Sequence, residues 1–210
     1  LALSLLSITT GLAQKNVLIL YPEDMGNHLS SLDTEGIETP VIDALAKRGV
    51  HFTANFCPQP VCSPSKGGFY TGRFPHENGM SGNVHNLSVN KLPMPKDKDL
   101  SDTQLSHIRE EIPTLIEILN REGYFTGITS KTHVQPMRKF RFDFGWGSIG
   151  SEGIYEPETW HDLITNMKNK AGDQPFFLMA NSSLTHAPWH RKLVDNNISS
   201  DPDNRLAPPT

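Results

Sequence analysis

Three short strand-like runs, each followed directly by polar or titratable residues, constrain the fold of this 210-residue chain most strongly. They lie at residues 16–21, 124–129 and 175–180, and helix-like segments separate them. The first and last are almost continuously apolar, as expected for strands buried on both faces of a sheet. We therefore predict an α/β fold with a largely parallel central sheet flanked by helices. Such sheets bind ligands at the carboxyl ends of their strands, so one site is expected along that edge.

The segments between these runs predict the remaining elements. Residues 50–56 are apolar enough to form a further strand, and residues 80–106 are polar and contain prolines, as in a long surface loop. Residues 138–153 are rich in aromatic residues and glycine and predict no particular element. Amphipathic or capped patterns predict helices at 39–47, 113–122 and 158–171.

The charge and cysteine content argue against several classes of function. A net charge of −4 disfavours a broad nucleic-acid-binding surface, which needs clustered Lys and Arg. The two cysteines, Cys57 and Cys62, do not make a disulfide framework. They also lack the further Cys and His pair that marks a zinc site in a sequence. We therefore expect no nucleic-acid partner.

The first residues resemble part of a targeting segment. Residues 1–14 are apolar and small, and their last four, Gly-Leu-Ala-Gln, resemble a signal-peptide cleavage site. This run is too short to span a membrane, so no membrane span is expected; a buried first strand is the alternative. The chain lacks an initiator Met and stops in a loop-like stretch. We interpret it as a fragment of a longer exported protein, periplasmic or extracellular, or lysosomal-type in a eukaryote.

Cys62 opens a predicted helix whose first turn also contains Pro64. Proline is tolerated there because the first helical amides have no partner within the helix. Those amides and the helix dipole favour an anion, so Cys62 lies where negative charge is stabilised. A small buried cysteine before an ordinary helix is the alternative explanation.

Titratable residues follow each of the three strand-like runs. Glu23 and Asp24 follow the first, and adjacent carboxylates suit hard cations such as calcium. Lys131 and His133 follow the second, and alternate side chains of an extended segment share one face, so we expect these two on the same side. His186 follows the third. Taken singly, each residue also fits an ordinary solvated turn or loop.

In their order along the chain, these clusters resemble the motifs of the sulfatase family, within the alkaline-phosphatase-like superfamily of hydrolases. The family signature is Cys or Ser, any residue, Pro, Ser or Ala, then Arg, commonly continuing to Thr-Gly-Arg. Residues 62–66 and 71–73 match it, with Lys in place of the first Arg. Residues 23–24 match the family's Asp-Asp metal motif, 131–133 its Lys-x-His motif and 186–189 its His-x-Pro motif. The resemblance predicts the family's α/β fold.

A narrower resemblance is to the sulfamidase branch, which cleaves N-sulfate from heparan-type glycans. It is carried by residues 76–80, His-Glu-Asn-Gly-Met, and by residues 131–134, Lys-Thr-His-Val. The resemblance as a whole implies a sulfated carbohydrate as the substrate.

The resemblance implies a specific chemistry for these positions. In the family a formylglycine-generating enzyme oxidises the signature cysteine, so Cys62 is the precursor of the nucleophile. The hydrated aldehyde attacks sulfur and forms a covalent sulfated intermediate. Glu23 and Asp24 are expected to hold a divalent cation, most often Ca²⁺. That cation also binds the hydrate formed from Cys62, and it polarises the sulfate.

The remaining site residues take roles around the sulfate group. The resemblance implies that Lys131 neutralises sulfate oxygens and that Lys66 contacts the aldehyde hydrate. His133 is expected to remove the proton that expels sulfate, and His186 to assist the leaving oxygen or nitrogen as an acid.

Three positions depart from the family pattern: Lys66 replaces Arg, Glu23 replaces Asp, and Thr185 replaces the proline often found before the histidine. Lysine keeps the charge but loses the planar two-pronged donor, and glutamate carries its carboxylate on a stem one methylene longer. The family's second metal motif and its C-terminal subdomain are expected beyond residue 210. We therefore read residues 15–210 as the N-terminal part of a catalytic domain that is inactive by itself. Two alternatives stay open: a phosphonate or phosphodiester hydrolase, and an inactive relative that binds sulfated glycans.

Overall fold

The computed structural model describes residues 15–84, 106–146, 157–182 and 185–186. The predicted signal-peptide remnant at residues 1–14 lies outside this part of the chain, as does most of the predicted loop at 80–106. Met80 and Ser106, at the ends of that loop, pair in an isolated antiparallel bridge.

The central sheet is parallel throughout the described chain, as the sequence predicts. Its strand order is β1-β4-β2-β3, and all three neighbouring pairs run in the same direction. The strands are β1 (Val17–Pro22), β2 (Phe125–Thr129), β3 (Phe144–Trp146) and β4 (Phe176–Ser182).

Helices connect these strands and confirm the predicted alternation. Two 3-10 turns, Ser30–Leu32 and Met137–Lys139, lie in the connections. None of the helices in the described part of the chain has the length and apolar content that crossing a membrane requires. The α-helices are α1 (Pro40–Arg48), α2 (Cys62–Thr71), α3 (Pro75–Asn78), α4 (Leu115–Arg121) and α5 (Pro157–Ala171).

The predicted strand at residues 50–56 is wrong. This segment is irregular, and its apolar side chains are exposed, with Phe56 at 86%. A strand needs a partner for its backbone groups, and no described strand pairs with this segment. The unassigned stretch 138–153 contains β3, which is three residues long and takes its place only by pairing with β2.

The sheet has a core on each face, as β4 shows. Phe177 and Met179 pack into one apolar cluster, and Leu178 and Ala180 pack into the other with Leu163 of α5. Successive side chains of a strand point to opposite faces, so the continuously apolar run of β4 is what burial on both faces requires. The same prediction is wrong for β1: its Leu18 and Leu20 side chains are 49% and 61% exposed, because the described residues cover only one of its faces.

Two glycines of α2 allow this helix to pack closely against neighbouring segments. A Cβ at Gly67 would lie 2.6 Å from the Met80 side chain, and one at Gly68 would overlap Pro58. Glycine at both positions therefore lets α2, which begins at Cys62, pack closely against the segments that contain Met80 and Pro58.

Candidate active site

The predicted site residues meet at the carboxyl edge of the sheet. Glu23 and Asp24 directly follow β1, Lys131 follows β2 and His186 follows β4. Cys62 is the first residue of α2 and lines the same cleft, of about 690 Å³, as Glu23 and Asp24. Parallel strands end at one edge, so residues far apart in the sequence converge there.

Glu23 lies between two lysines, and we call Glu23, Lys66 and Lys131 the buried trio. The Lys66 Nζ contacts Glu23 Oε1, and the Lys131 Nζ donates to Glu23 Oε2 at 3.0 Å. The Glu23 and Lys66 side chains are 3% and 1% exposed, whereas that of Lys131 is 27% exposed. Charged residues this buried need a partner. Within the trio, Lys131 is therefore the more accessible lysine, whereas Lys66 lines the cleft at a buried position.

Burial and charge oppose each other in the buried trio. Burial raises the pKa of Glu23, but Lys66 and Lys131 together outweigh it, so this pKa lies below its usual value. Burial lowers the pKa of Lys66, and the attraction to Glu23 offsets part of that shift. Glu23 is therefore ionised at neutral pH, and its charge is what makes a buried lysine tolerable.

Asn181, near the end of β4, supports the buried trio through hydrogen bonds. The sequence suggests no role for this residue. Its Nδ2 donates to the Lys131 carbonyl oxygen at 2.6 Å, and the same oxygen accepts from Lys66 Nζ at 3.1 Å. Thr129 Oγ1 donates to the Asn181 carbonyl at 2.9 Å. Asn181 is fully buried within β4, although asparagine is usually exposed, so its role is evident only from the fold.

A second group, which we call the open trio, comprises Asp24, Cys62 and His186. One ligand atom from each lies within 4.8 Å of the others, and Asp24 Oδ2 is 3.5 Å from His186 Nε2. The Asp24 and His186 side chains are 50% and 34% exposed. Asp24 has a left-handed backbone (φ 56°), which aspartate tolerates better than most residues and which turns the chain directly after Glu23.

The start of α2 is fixed by a neighbouring segment rather than by its own capping residue. Val61, at the N-cap, has no side-chain cap. Instead the Ser63 amide donates to Asn83 Oδ1 at 3.0 Å, and Ser63 Oγ accepts from the Val84 amide at 3.1 Å. These bonds hold Cys62 in place from the adjacent residue.

The same segment orients His133. The Nε2 of His133 lies 2.6 Å from the Val84 carbonyl oxygen, which can only accept, so Nε2 carries the proton. The buried Nδ1 has no hydrogen-bond partner among the described residues. Burial, reinforced by Lys131, lowers the pKa of His133 to about 4. The ring is therefore neutral at pH 7, with Nδ1 able to accept a proton.

The expectation that Lys131 and His133 alternate along an extended segment is wrong. β2 ends at Thr129, and both Ser130 and His133 have left-handed backbones (φ 60° and 52°). The Lys131 side chain runs to Glu23, whereas that of His133 runs to Val84. The two residues still interact, because the charge of Lys131 contributes to the lowered pKa of His133.

Thr185 ties the segment before His186 to β1. Its Oγ1 donates to the Glu23 carbonyl oxygen, so the residues that follow β4 lie beside those that follow β1. The sequence suggested no role for this hydroxyl.

The donor set fits a divalent cation. The Asp24 carboxylate lies next to the side chain of residue 62, and both line the cleft. Both Glu23 oxygens already accept from lysines, but a carboxylate has about four lone-pair sites and can serve a cation as well. Glu23 and Asp24 are thus suited to holding such an ion jointly.

Comparison with known proteins gives a family for this arrangement. The family model described as Sulfatase matches residues 15–203. N-sulphoglucosamine sulphohydrolase of Homo sapiens is 30% identical over 168 residues, covering 78% of this chain and 30% of that protein. The ulvan-active sulfatase of Formosa agariphila is 25% identical over 198 residues, covering 91% of this chain and 35% of that protein. The chain therefore spans about a third of the length of these curated relatives.

Solved structures agree on the fold. One, described as a complex with its substrate D-glucosamine-2-N,6-O-disulfate, has a TM-score of 0.60 at 19% identity and covers 84% of this chain and 35% of that one. Another, Ps i-CgsB in complex with k-i-k-neocarrahexaose, has a TM-score of 0.57 at 20% identity and covers 91% and 51%. They confirm the alkaline-phosphatase-like α/β fold. Because the family model covers most of its length, the chain belongs to the sulfatase family.

Proposed function

We propose that the protein containing this chain is an exported hydrolase that removes sulfate from a sulfated carbohydrate. The observation that carries this proposal is the convergence, at one sheet edge, of residues from all four family motifs. Asp24, Cys62 and His186 lie within reach of one another, and Lys131 lies beside Glu23. In this proposal residues 15–210 form the N-terminal part of the catalytic domain.

The nucleophile in this proposal is residue 62 after oxidation of Cys62 to formylglycine by a formylglycine-generating enzyme. Its position at the first residue of α2 supports this role, because unpaired helical amides stabilise negative charge near the reacting group. Glu23 and Asp24 would hold the divalent cation, which we expect to be Ca²⁺. When bound, that ion would polarise the sulfate.

The two lysines divide the work of charge stabilisation. Lys131 is partly exposed and lies beside Glu23, which supports a role in which its Nζ neutralises sulfate oxygens. Lys66 is buried against Glu23 and lines the same cleft as residue 62. It also interacts electrostatically with Cys62, which keeps a cation near the nucleophile.

The two histidines suit opposite proton transfers. His133 is neutral, with a fixed tautomer that leaves Nδ1 as a base. In this role it accepts the hydroxyl proton of residue 62 as sulfate is expelled. His186 lies beside the Asp24 carboxylate at the edge of the cleft, and in this role it delivers a proton to the leaving oxygen or nitrogen.

Two relatives point to the substrate class. One is named for N-sulphoglucosamine and the other for ulvan, and both names denote carbohydrates. The resemblance of residues 76–80 and 131–134 to the sulfamidase branch favours an N-sulfated amino sugar, and an O-sulfated sugar is the alternative.

The test is a kinetic comparison on the complete protein, produced together with a formylglycine-generating enzyme. Glucosamine bearing an N-sulfate or a 6-O-sulfate is supplied next to the matched 6-phosphate, and release of sulfate or phosphate is measured. We expect kcat/KM for one sulfated sugar to exceed that for the phosphate by at least about tenfold, or about 1.4 kcal/mol. Faster release of phosphate, or no release of sulfate from protein whose Cys62 has been converted, would contradict the proposal.

A further inference from the structure

We infer that, before residue 62 is oxidised, the open trio binds a zinc-class cation through the Asp24 carboxylate, the Cys62 sulfur and the His186 imidazole. The inference concerns the thiol form of the protein and does not depend on sulfate hydrolysis. Sequence spacing gave no sign of such a site, because 38 positions separate Asp24 from Cys62 and 124 separate Cys62 from His186, so the three meet only through the fold.

The distances are close to those of a zinc site. Zinc bonds of about 2.0–2.3 Å in a tetrahedral arrangement hold ligand atoms about 3.3–3.8 Å apart. Asp24 Oδ2 and His186 Nε2 already lie 3.5 Å apart, and no pair in the open trio exceeds 4.8 Å. The Asp24 and His186 side chains are partly exposed, so rotation about their own bonds can close the remaining gap.

The ligand types select the class of metal. Thiolate and imidazole are ligands that zinc prefers, whereas calcium takes oxygen ligands almost exclusively. Oxidation of Cys62 replaces its sulfur by oxygen, which removes the ligand that favours zinc. The chemical state of residue 62 therefore decides which class of cation the open trio accepts.

The cleft has space for a water molecule as a further ligand of the metal ion. The open trio supplies three protein ligands, and both Asp24 and Cys62 line a cleft of about 690 Å³. Three protein ligands with a fourth position open to water are typical of accessible zinc sites. The Glu23 carboxylate contacts Lys66 and Lys131 and is not one of the three groups whose ligand atoms lie within 4.8 Å of one another.

The test uses the complete protein made in a host without the modifying enzyme, so that Cys62 stays a thiol. Cobalt(II) replaces zinc as the probe, because a cobalt–thiolate bond gives a near-ultraviolet charge-transfer absorption. We expect one equivalent of cobalt to bind with this absorption and zinc to displace it, while a large excess of calcium does not.

Variants assign the ligands. Cys62→Ser should abolish the absorption, and His186→Ala should weaken cobalt binding by at least about tenfold. Cys57→Ala is the matched control, since Cys57 is an exposed free thiol five residues away, and it should leave the titration unchanged. Absorption that survives Cys62→Ser and disappears in Cys57→Ala would overturn the inference, as would a titration unaffected by His186→Ala.

A second measurement does not depend on the variants. Zinc should slow alkylation of Cys62 by iodoacetamide by at least about tenfold, because the metal-bound sulfur is not free to react. Cys57 in the same molecule should react at an unchanged rate. Equal protection of both cysteines, or protection of neither, would overturn the inference. Neither readout involves sulfate hydrolysis, so failure here is distinguishable from failure of the proposed function.

Discussion

The buried trio and the open trio lie side by side at the carboxyl edge of the sheet but differ in their surroundings. In the buried trio, Glu23 and Lys66 are almost inaccessible, and their opposite charges satisfy each other. In the open trio, the Asp24 side chain is half exposed and faces a sulfur and an imidazole across the cleft. The first arrangement suits a fixed network of charges, whereas the exposed groups of the second can bind and release an ion or a substrate.

The contrast separates two residues that the sequence presents as a pair. Glu23 and Asp24 are adjacent carboxylates, yet the first belongs to the buried trio and the second to the open trio. The structure also brings together two of the three departures from the family pattern, because Glu23 and Lys66 contact each other directly.

The largest effect is expected from removing the nucleophile of the open trio. Cys62→Ala in the complete protein should lower sulfate release by at least about a thousandfold, because no formylglycine can form at position 62. Cys57→Ala, at the nearby exposed thiol, should keep normal turnover. Substantial activity in Cys62→Ala would show that another group attacks the sulfur.

Breaking the buried trio should cost stability. Glu23→Gln leaves Lys66 buried without a counter-charge, so the free energy of unfolding should fall by about 3–5 kcal/mol in urea titrations. Asp24→Asn, at the half-exposed neighbour, is the matched control and should change it by no more than about 0.5 kcal/mol.

The double variant Glu23→Gln with Lys66→Met sharpens this test. It removes both buried charges, so it should recover a large part of the stability lost in Glu23→Gln. Equal losses at positions 23 and 24 would remove the distinction between the two trios.

Acid should destabilise the buried part of the site through His133. Its pKa is about 4 in the folded chain against 6.5 ordinarily, so between these values the unfolded chain binds more protons. Stability should therefore fall as pH drops from 6.5 to 4, by up to about 3 kcal/mol from this group. Urea titrations across this range should show a shallower decline for His133→Gln. Parallel curves for the two proteins would contradict a buried neutral His133.

The smallest effect on stability is expected from Asn181, whose side chain hydrogen-bonds to the backbone of the buried trio. Asn181→Ala removes the hydrogen bond to the Lys131 carbonyl, so we expect a loss of about 1–2 kcal/mol in the free energy of unfolding. Gln174→Ala is the matched control, because Gln174 makes an exposed hydrogen bond to a backbone carbonyl, and it should change stability by less than about 0.5 kcal/mol. Equal effects of the two substitutions would show that Asn181 does not support the buried trio.

The sheet could be predicted because its strongest strands carry their own signal. β1 and β4 are almost continuously apolar and are followed by polar or titratable residues, which indicates the edge that binds ligands. Burial on both faces was predicted correctly for β4 but not for β1, in which Leu18 and Leu20 are 49% and 61% exposed. β3 could not be predicted, because three residues are too few for a pattern. The segment 50–56 was wrongly predicted to be a strand. Its composition favours a strand, but a strand also needs a neighbouring strand with which to pair.

The site could be predicted as a set of residues but not as two groups. The motifs identify Glu23, Asp24 and Lys131 correctly as neighbours at one edge. Which carboxylate is buried depends on the left-handed turn at Asp24, and the tautomer of His133 depends on a backbone carbonyl of Val84. A hydrogen bond to the backbone of a distant segment cannot be predicted from the sequence, because any residue can supply the backbone group.

The most direct test of the central role of Cys62 is the mass of the peptide that contains it. The complete protein is produced with and without a formylglycine-generating enzyme, and sulfate release is measured on the same samples. We predict a peptide about 18 Da lighter than the cysteine form in the first sample, with turnover proportional to the converted fraction. Equal turnover in a sample whose residue 62 is entirely an unmodified thiol would contradict the account.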